Sequence, residues 1–339
     1  MKALFVTQPG QAQIGAAAEP RPGPGEVLLA VRCVGYCGSD LSTYRGKNPL
    51  VGYPRIPGHE LAAVVEEIGP GVAAPLSKGQ PVTVSPYTAC GKCPSCLRGR
   101  ANACQFNQTL GVQRDGALTE YLVVPAEKIY AAEGLSLREL CLVEPLSVGF
   151  HAASRGRVTA SDTVAVFGCG AIGLGAVSAS AFRGARTIAI DIDDDKLALA
   201  RKAGAAEGVN SAKQPLHEIL QELTGGRGPD VVIEAIGLPA TFQAAVEEVA
   251  FTGRVVYIGY AKAPVSYETK LFVQKELDIL GSRNAQPAAF EEVIRMLQAG
   301  KFPVDDAVTR VVPFAEAGQA LAAWDANPPA FTKILVELP

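Results

Sequence analysis

Residues 163–191 read TVAVFGCGAIGLGAVSASAFRGARTIAID, two apolar runs joined by a glycine turn and a helix-sized segment of small residues. The first run leads directly into Gly168, Gly170 and Gly173, and the second ends in Asp191. This order predicts a strand, a turn, a helix and a second strand that together bind a dinucleotide. Gly168 permits the tight turn, Gly170 lets the backbone approach a pyrophosphate, and Gly173 lets the helix lie close to the strand.

The predicted helix begins at Ala171 and Ile172, where free N–H groups and a partial positive charge favour phosphate oxygens. At Asp191 a carboxylate can accept both ribose hydroxyls and would repel a 2′-phosphate, so the predicted cofactor is NAD and not NADP. One alternative is a glycine turn that binds no nucleotide. Another is a membrane span, because residues 163–182 carry no charge; their Gly, Ala and Ser content instead favours a helix buried against a sheet.

Composition excludes several functional classes. The chain has 339 residues, 48% of them hydrophobic and 19% charged, which is enough for a sizeable core and two domains. A net charge of −3 gives no electrostatic reason to expect nucleic acid or an anionic membrane as a partner. The short apolar run Ala3–Val6 is no signal peptide, so we expect a soluble, cytoplasmic protein.

The pattern of elements changes along the chain. Short runs of β-forming residues bounded by Gly and Pro, such as 27–33 and 117–125, predict a compact β-barrel domain. From about residue 145, strands alternate with helices, which predicts an α/β fold with a doubly wound parallel sheet of about six strands. After Gly281, a helix with apolar residues along one face and a final strand are predicted to belong to the first domain. The predicted domains are residues 1–145 with 285–339, and residues 146–284.

A cysteine loop is the most specific local signal in the chain. Four thiolates within fifteen residues can close a tetrahedron around Zn²⁺, and a set without His or Asp predicts a structural site. An iron–sulfur run would need a shorter last gap and a following Pro, and a zinc ribbon would need two CxxC pairs further apart. The four predicted ligands are Cys90, Cys93, Cys96 and Cys104.

Two other stretches carry a mixed set of ligands. Cys37 stands in CGSD at residues 37–40, and His59 and Glu60 stand in GHE at residues 58–60. Taken singly, Cys37 is better explained as a core cysteine than as a ligand, and His59 is ambiguous. Taken together, one Cys, one His and nearby carboxylates leave an open position, as a catalytic zinc requires. Asp40 is expected to hold the second ring nitrogen of His59.

The CGSD and GHE motifs, the cysteine loop and GxGxxG, in this order, resemble the zinc-dependent medium-chain dehydrogenases over essentially the whole chain. The resemblance implies a GroES-like catalytic domain, a Rossmann coenzyme domain and an active site in the cleft between them. It supports Cys37 and His59 as ligands of a catalytic zinc, beside the structural zinc of the cysteine loop.

The third ligand of the catalytic zinc has two candidates. The stretch VEPLSVGFHA at residues 143–152 resembles the polyol dehydrogenase branch, where a glutamate replaces the cysteine of typical alcohol dehydrogenases, which points to Glu144. Glu60 is the rival, and either carboxylate fits. Pro145 is expected to be the first residue of a helix, with Glu144 directly before it. A carboxylate at a helix start without metal contact is the alternative for Glu144.

The resemblance also implies a reaction. Zinc lowers the pKa of a bound alcohol, the proton leaves through Ser39, and hydride passes to C4 of the nicotinamide. The family often has a histidine further along the relay, where this chain has Ser42, so Tyr44 or solvent is expected to take its place. Gly259, at the end of a predicted strand, and Arg283, which resembles a pocket arginine of sorbitol-type members, are further candidate contacts for coenzyme or substrate.

The remaining histidines and cysteines are given structural roles. His151 is expected to be a buried structural histidine, and His217 a solvated one. Three cysteines are interpreted as small core residues: Cys33, Cys141 and Cys169.

The predicted function is NAD-dependent oxidation of a secondary alcohol in a polyol, sugar or sugar acid. The segments CGSDLSTYRG, GVQRDGALTEY and GSRNA most resemble family members that act on hexonates such as L-galactonate or L-gulonate. A threonine or simple alcohol dehydrogenase is a rival within the class, and a redox sensor that binds NAD and zinc without turnover is a rival outside it. We expect a homodimer or homotetramer.

Overall fold

A computed structural model describes all 339 residues. The chain forms two compact units, Met1–Glu144 with Val304–Pro339, and Pro145–Pro303. The strands are β1 (Lys2–Gln8), β2 (Gln11–Ala16), β3 (Glu26–Gly35), β4 (Glu60–Ile68), β5 (Pro81–Val84), β6 (Tyr121–Pro125), β7 (Ile129–Ala131), β8 (Thr163–Phe167), β9 (Arg186–Asp191), β10 (Glu207–Asn210), β11 (Val231–Glu234), β12 (Arg254–Tyr257), β13 (Asp278–Gly281), β14 (Arg310–Pro313) and β15 (Ile334–Glu337). The helices are α1 (Gly38–Tyr44), α2 (Pro94–Leu97), α3 (Leu137–Arg155), α4 (Ala171–Phe182), α5 (Asp194–Lys202), α6 (Leu216–Thr224), α7 (Pro239–Glu248), α8 (Lys270–Gln274), α9 (Pro287–Gln298), α10 (Val304–Ala307) and α11 (Ala317–Ala326).

The first unit is built on a seven-stranded sheet in the order β14-β15-β3-β4-β5-β7, with β6 also paired to β3. In β3, Val27, Leu29 and Val31 alternate into the core and are fully buried, which is the period-2 pattern of a strand with one apolar face. The last strand, β15, pairs antiparallel with β3. The C-terminal residues therefore complete the sheet that begins near the N-terminus. The β1–β2 hairpin was not predicted from the sequence.

The second unit contains a six-stranded sheet in the order β10-β9-β8-β11-β12-β13, in which every pairing is parallel. Strand order reverses between β8 and β11, which is the topological switch point where such sheets bind ligands. The predicted α/β class with a doubly wound sheet is confirmed.

Helix α4 is made of small residues because it lies against two neighbours at once. A Cβ on Gly173 would stand 1.7 Å from the Gly168 carbonyl oxygen, and one on Gly149 would stand 2.2 Å from the Ala176 nitrogen. Only glycine allows these approaches of α4 to the end of β8 and to α3. No helix of the chain is both long and apolar enough to cross a membrane.

The structure differs from the sequence prediction at two boundaries. The second unit extends to Pro303 and not to residue 284, because α9 buries Phe290, Val293 and Met296 and its Glu292 pairs at 2.5 Å with Arg183 after α4. Pro145 does not start a helix but lies inside α3. The helix continues through it without the hydrogen bond that a residue 145 N–H would donate.

Candidate functional site

One buried carboxylate organises the backbone around the mixed ligand set. Cys37 is the N-cap of α1, and its N–H donates to Asp40 Oδ2 at 2.8 Å, while the Gly58 N–H donates to Asp40 Oδ1 at 3.1 Å. Because Gly58 precedes His59, Asp40 fixes both ligand-bearing segments. The expectation that Asp40 holds the His59 ring is wrong, since both of its oxygens accept backbone N–H groups and Nδ1 of His59 has no hydrogen-bond partner.

Glu60, the first residue of β4, is held by a buried ion pair. Lys333 Nζ donates to Glu60 Oε2 at 2.5 Å and to the Tyr36 carbonyl at 3.2 Å, and both charged side chains are almost completely buried. Gly35 stands opposite Glu60 in β3, and a Cβ there would lie 2.3 Å from Oε2. The missing side chain of Gly35 therefore makes room for the carboxylate.

Cys37, His59 and Glu60 form a set suited to a metal ion. Their ligand atoms all lie within 4.8 Å of one another. His59 Nδ1, Glu60 Oε1 and Ser39 Oγ are buried and have no hydrogen-bond partner, although buried polar atoms in proteins are nearly always satisfied. A thiolate, an imidazole and a carboxylate are the donors that zinc prefers, so these residues fit the ion that the sequence predicts.

Glu144 lies near this set but outside it. It is buried in α3, and its Oε1 accepts a hydrogen bond from the hydroxyl of Tyr87, which is also buried. Burial raises the pKa of Glu144 to about 7 because the charged form is poorly solvated, and the Glu60 charge adds to this, while His59 and Tyr87 partly offset it. Glu144 was a candidate third ligand from the sequence, and the structure places it outside the close set of Cys37, His59 and Glu60. Tyr87 was not predicted.

The charges around His59 favour its protonated form in the metal-free chain. Burial by itself lowers the pKa of His59, but the neighbouring Cys37 and Asp40 outweigh that effect and hold the pKa well above its usual value. Metal binding therefore displaces protons at this site.

Lys333 was also missed, although the sequence contains a signal. It stands in FTKILV at residues 331–336, immediately before the buried strand β15. A lysine is almost never fully buried without a partner, so its position predicts a buried carboxylate nearby. The partner is 273 positions away in the chain, and nothing local in the sequence identifies it.

In the metal-free protein, we expect the free energy of unfolding to depend on pH because of Glu144. Its pKa of about 7 is above the value of about 4.3 in an unfolded chain, so folding favours the protonated form. This stabilising contribution is fully present below about pH 4 and is lost as the pH rises through 7. We expect the metal-free protein to lose about 2–3 kcal/mol of unfolding free energy between about pH 5 and pH 8, relative to Glu144→Gln. Denaturant titrations measure this, and equal pH profiles for the two proteins would contradict it.

The four cysteines of the loop converge as a tetrahedral site requires. Their sulfurs all lie within 4.8 Å of one another, and Cys93 Sγ is 3.5 Å from Cys96 Sγ and 3.8 Å from Cys104 Sγ. Zn–S bonds of about 2.3 Å give a tetrahedron with edges of about 3.8 Å. The Ser95 hydroxyl and backbone N–H groups lower the pKa of Cys93 to about 5, which favours the thiolate that binds metal.

The glycine turn of the second unit has the geometry that its predicted roles need. Gly168 has φ +92°, a value that favours glycine. Gly170 is the N-cap of α4, and a Cβ there would meet nothing within 4 Å. The space beside Gly170 is therefore open to a pyrophosphate, and the N–H groups of Ala171, Ile172 and Gly173 begin the twelve-residue helix α4.

Asp191 ends β9 at the same edge of the sheet. Its Oδ2 accepts the Cys169 N–H at 2.7 Å, and its Oδ1 accepts the Ile192 N–H at 2.8 Å. Oδ1 also accepts the Asp193 N–H at 3.2 Å. The carboxylate therefore holds the glycine turn, and Oδ2, which accepts one N–H group, keeps a second lone pair for a ribose hydroxyl.

Gly259 follows β12 and Arg283 follows β13. With the turn after β8 and Asp191 at the end of β9, the carboxyl ends of four parallel strands carry predicted coenzyme residues. A Cβ on Gly259 would lie 2.4 Å from the Gly237 nitrogen and 2.5 Å from Glu234 Oε2. Packing against the turn after β11 therefore already requires glycine at this position. Arg283 is exposed.

The other histidines and cysteines lie where the sequence predicts. His151 is buried in α3, and the His217 side chain is 62% exposed with Nδ1 at 3.0 Å from Glu248. Three further cysteines are free thiols in the core: Cys33, Cys141 and Cys169.

Comparison with known proteins agrees with both units. Residues 171–299 match the family model described as zinc-binding dehydrogenase, and residues 23–134 match the alcohol dehydrogenase GroES-like domain. L-galactonate-5-dehydrogenase of Escherichia coli K12 is 32% identical over 93% of this chain and 92% of that protein. The sorbitol dehydrogenase of Halalkalibacterium halodurans is 31% identical over 95% of this chain and 96% of that protein.

The chain belongs to the zinc-dependent medium-chain dehydrogenase family. Its fold agrees with this: a crystal structure described as a short chain alcohol dehydrogenase from E. coli CFT073, complexed with NADH, aligns with a TM-score of 0.92, 31% identity and coverage of 99% of both chains. The protein is therefore a zinc-type alcohol dehydrogenase. Zinc and a nicotinamide dinucleotide are its cofactors.

Proposed function

We propose that this dehydrogenase oxidises a secondary alcohol of a polyol, sugar or sugar acid with NAD as the hydride acceptor. The observation that carries the proposal is the close set of half-buried Cys37 with buried His59 and Glu60, in which a ring nitrogen and a carboxylate oxygen have no hydrogen-bond partner. Such a set can hold one zinc with an open position for substrate. The zinc, when bound, supplies a Lewis acid that polarises the reacting oxygen.

The chain's own residues position the substrate and carry away its proton. Ser39 Oγ is buried without a hydrogen-bond partner, so it is available to accept the proton that leaves the substrate hydroxyl. Tyr44, the alternative exit for this proton, donates its hydroxyl to the Gly10 carbonyl at 2.9 Å. Because the Tyr44 hydroxyl already donates to this carbonyl, we infer that the proton passes from Ser39 to solvent.

The preference for NAD is assigned to Asp191. Its carboxylate ends β9 beside the open space at Gly170, where it would bind ribose hydroxyls and repel a 2′-phosphate. Asp194 and Asp195 in the first turn of α5 add negative charge to the same segment.

Replacing Asp191 tests this role. Asp191→Asn keeps an oxygen for the turn's N–H groups but removes the charge, and we expect the ratio of kcat/KM with NAD to that with NADP to fall about 10–100-fold, the value of a charged hydrogen bond. Asp195→Asn is the matched control and should change the ratio by less than about 3-fold, as a solvent-exposed charge does. An unchanged ratio in Asp191→Asn would remove the ribose role.

The substrate class is proposed from the relatives, whose names include L-galactonate-5-dehydrogenase and sorbitol dehydrogenase. A panel of hexonates, polyols, threonine and simple alcohols, read as NADH absorbance, tests the proposal. Highest kcat/KM on a hexonate or polyol supports it. Preference for threonine or a simple alcohol would replace the substrate class, and inactivity on the whole panel would favour a redox sensor.

We also propose that the protein is a homo-oligomer. Strand β13 is the last strand of its sheet and exposes Ile279, and Val273 in α8 is 82% exposed. An exposed edge strand with apolar side chains favours pairing with another chain. Light scattering after size exclusion measures the molar mass, and a monomer would contradict this proposal.

A further inference from the structure

Each of the two glutamates that compete for the third ligand position has its own hydrogen-bond donor. Lys333 binds Oε2 of Glu60 at 2.5 Å, and the hydroxyl of Tyr87 donates to Oε1 of Glu144. All four side chains are buried: Glu60, Lys333, Glu144 and Tyr87. The two donors differ in chemistry, because one is an ammonium group and the other a neutral phenol.

We propose that Tyr87 is a positioning residue that holds Glu144 back from the metal and so leaves Glu60 as the third protein ligand. This inference rests on the proposed function, because it concerns the zinc held by Cys37 and His59. It assigns a role to a residue that no motif of the sequence singled out.

The arrangement of Glu60 supports its assignment as the third protein ligand. A Glu60 oxygen lies within 4.8 Å of the Cys37 and His59 ligand atoms, and its Oε1 has no hydrogen-bond partner. Lys333 takes only the other oxygen, and the space left by Gly35 accommodates that oxygen. Glu60 is thus oriented with one oxygen committed and one available to a metal.

The arrangement of Glu144 supports the inference that it is held away from the metal. Its carboxylate is outside the close set, although it is near enough to feel the charges of His59 and Glu60. Tyr87 lies just beyond β5 and is only 6% exposed. Moving Glu144 Oε1 onto the metal would break the buried hydrogen bond from the Tyr87 hydroxyl, which opposes the move.

Without the Tyr87 hydroxyl, this opposition disappears. Tyr87→Phe keeps the ring that fills the buried space and removes only the donor. Glu144 then becomes able to replace Glu60, so the dependence of metal binding on Glu60 should weaken. A merely structural tyrosine would not change that dependence.

Metal affinity measured without NAD or substrate tests the inference. Co²⁺ is titrated against a chelator into protein that keeps zinc in the cysteine loop, and its visible absorption reports the ligand set. In the wild-type background, we expect Glu60→Gln to weaken Co²⁺ binding about 100-fold, the upper range for disrupting a metal site's supporting carboxylates. In the Tyr87→Phe background, the same change should cost about 10-fold or less, with a Co²⁺ spectrum restored by Glu144.

Three further variants make the test discriminating. Glu144→Gln alone should change affinity by less than about 3-fold, as for a group that does not bind the metal. Tyr53→Phe, which removes a hydroxyl that donates to the Thr43 carbonyl, is the matched control and should leave the Glu60→Gln loss at its wild-type size. Glu60→Asp keeps the negative charge beside Lys333 and replaces Glu60→Gln if that variant is unstable.

The outcomes separate this inference from the proposed function. An equal Glu60→Gln loss in both backgrounds, or a Glu144→Gln loss as large as that of Glu60→Gln, overturns the role of Tyr87 alone. A wild-type protein that binds no Co²⁺ beyond the cysteine loop overturns both the inference and the proposed function. A smaller loss in the Tyr87→Phe background than in the Tyr53→Phe background supports the inference.

Discussion

Cys37→Ser lowers the rate of NADH formation by at least about 10³-fold, because the metal's Lewis acidity contributes several kcal/mol to the reaction. The Kd for NAD changes by less than about 3-fold, since the predicted coenzyme turn belongs to the other unit and shares no residue with the Cys37, His59 and Glu60 set. Serine has almost the same size as cysteine but is a poor zinc ligand. Single-turnover absorbance and NAD titration measure the two quantities.

The matched control for this result is Cys33→Ala. Cys33 is equally small and is buried in β3, but its sulfur is outside the metal set. We expect the control to keep its rate within about tenfold of wild type, since a small core truncation mainly affects stability. A Cys37→Ser protein that still turns over would show that Cys37 holds no catalytic metal.

Cys104→Ser lowers the zinc content from two ions per chain to one and lowers Tm by at least about 10 °C. The Cys104 sulfur is fully buried, lies 3.8 Å from Cys93 Sγ, and accepts N–H groups of Cys90 and Phe106 at 3.3 Å. Structural zinc contributes directly to folding free energy, and a domain of this size loses about 2–4 °C of Tm per kcal/mol. Elemental analysis and calorimetry measure the two effects.

The matched control for Cys104→Ser is Ser95→Ala. Ser95 lies in the same loop and its hydroxyl contacts Cys93 Sγ at 3.1 Å, but it has no ligand atom in the set of four cysteines. Ser95→Ala should keep both zinc ions and lose a few degrees at most, as for one hydrogen bond. Two zinc ions in Cys104→Ser would mean that the loop is not a metal site.

The local features of both units could be predicted from the sequence. The turn at Gly168–Gly173 is set by three glycines within six residues: Gly168 has a positive φ, a Cβ on Gly173 would meet the Gly168 carbonyl oxygen, and Gly170 faces open space. The cysteine loop brings four sulfurs together within fifteen residues. In both cases a few successive backbone angles decide the geometry, so nearby residue types are sufficient information.

The placement of the C-terminal part could be predicted only in outline. A return to the first unit was expected after Gly281, but α9 stays with the second unit and the return begins at Val304. The stripe on α9 shows that the helix buries one face, but it does not show which core receives that face. The ion pair between Glu292 and Arg183 is a long-range contact that periodicity does not contain.

The amino-acid sequence was sufficient for the family, the four-cysteine cluster and the glycine turn, because the residues of each motif lie close together in the chain. It left Glu60 and Glu144 open as the third ligand of the mixed set. Tertiary structure alone decided how the buried carboxylates of the candidate site are held. Asp40 binds backbone and not the His59 ring, Glu60 meets Lys333 from the far end of the chain, and Tyr87 meets Glu144. These contacts depend on how β3, β4, β15 and α3 pack, and the requirement that each buried charge or hydroxyl find a partner selects them.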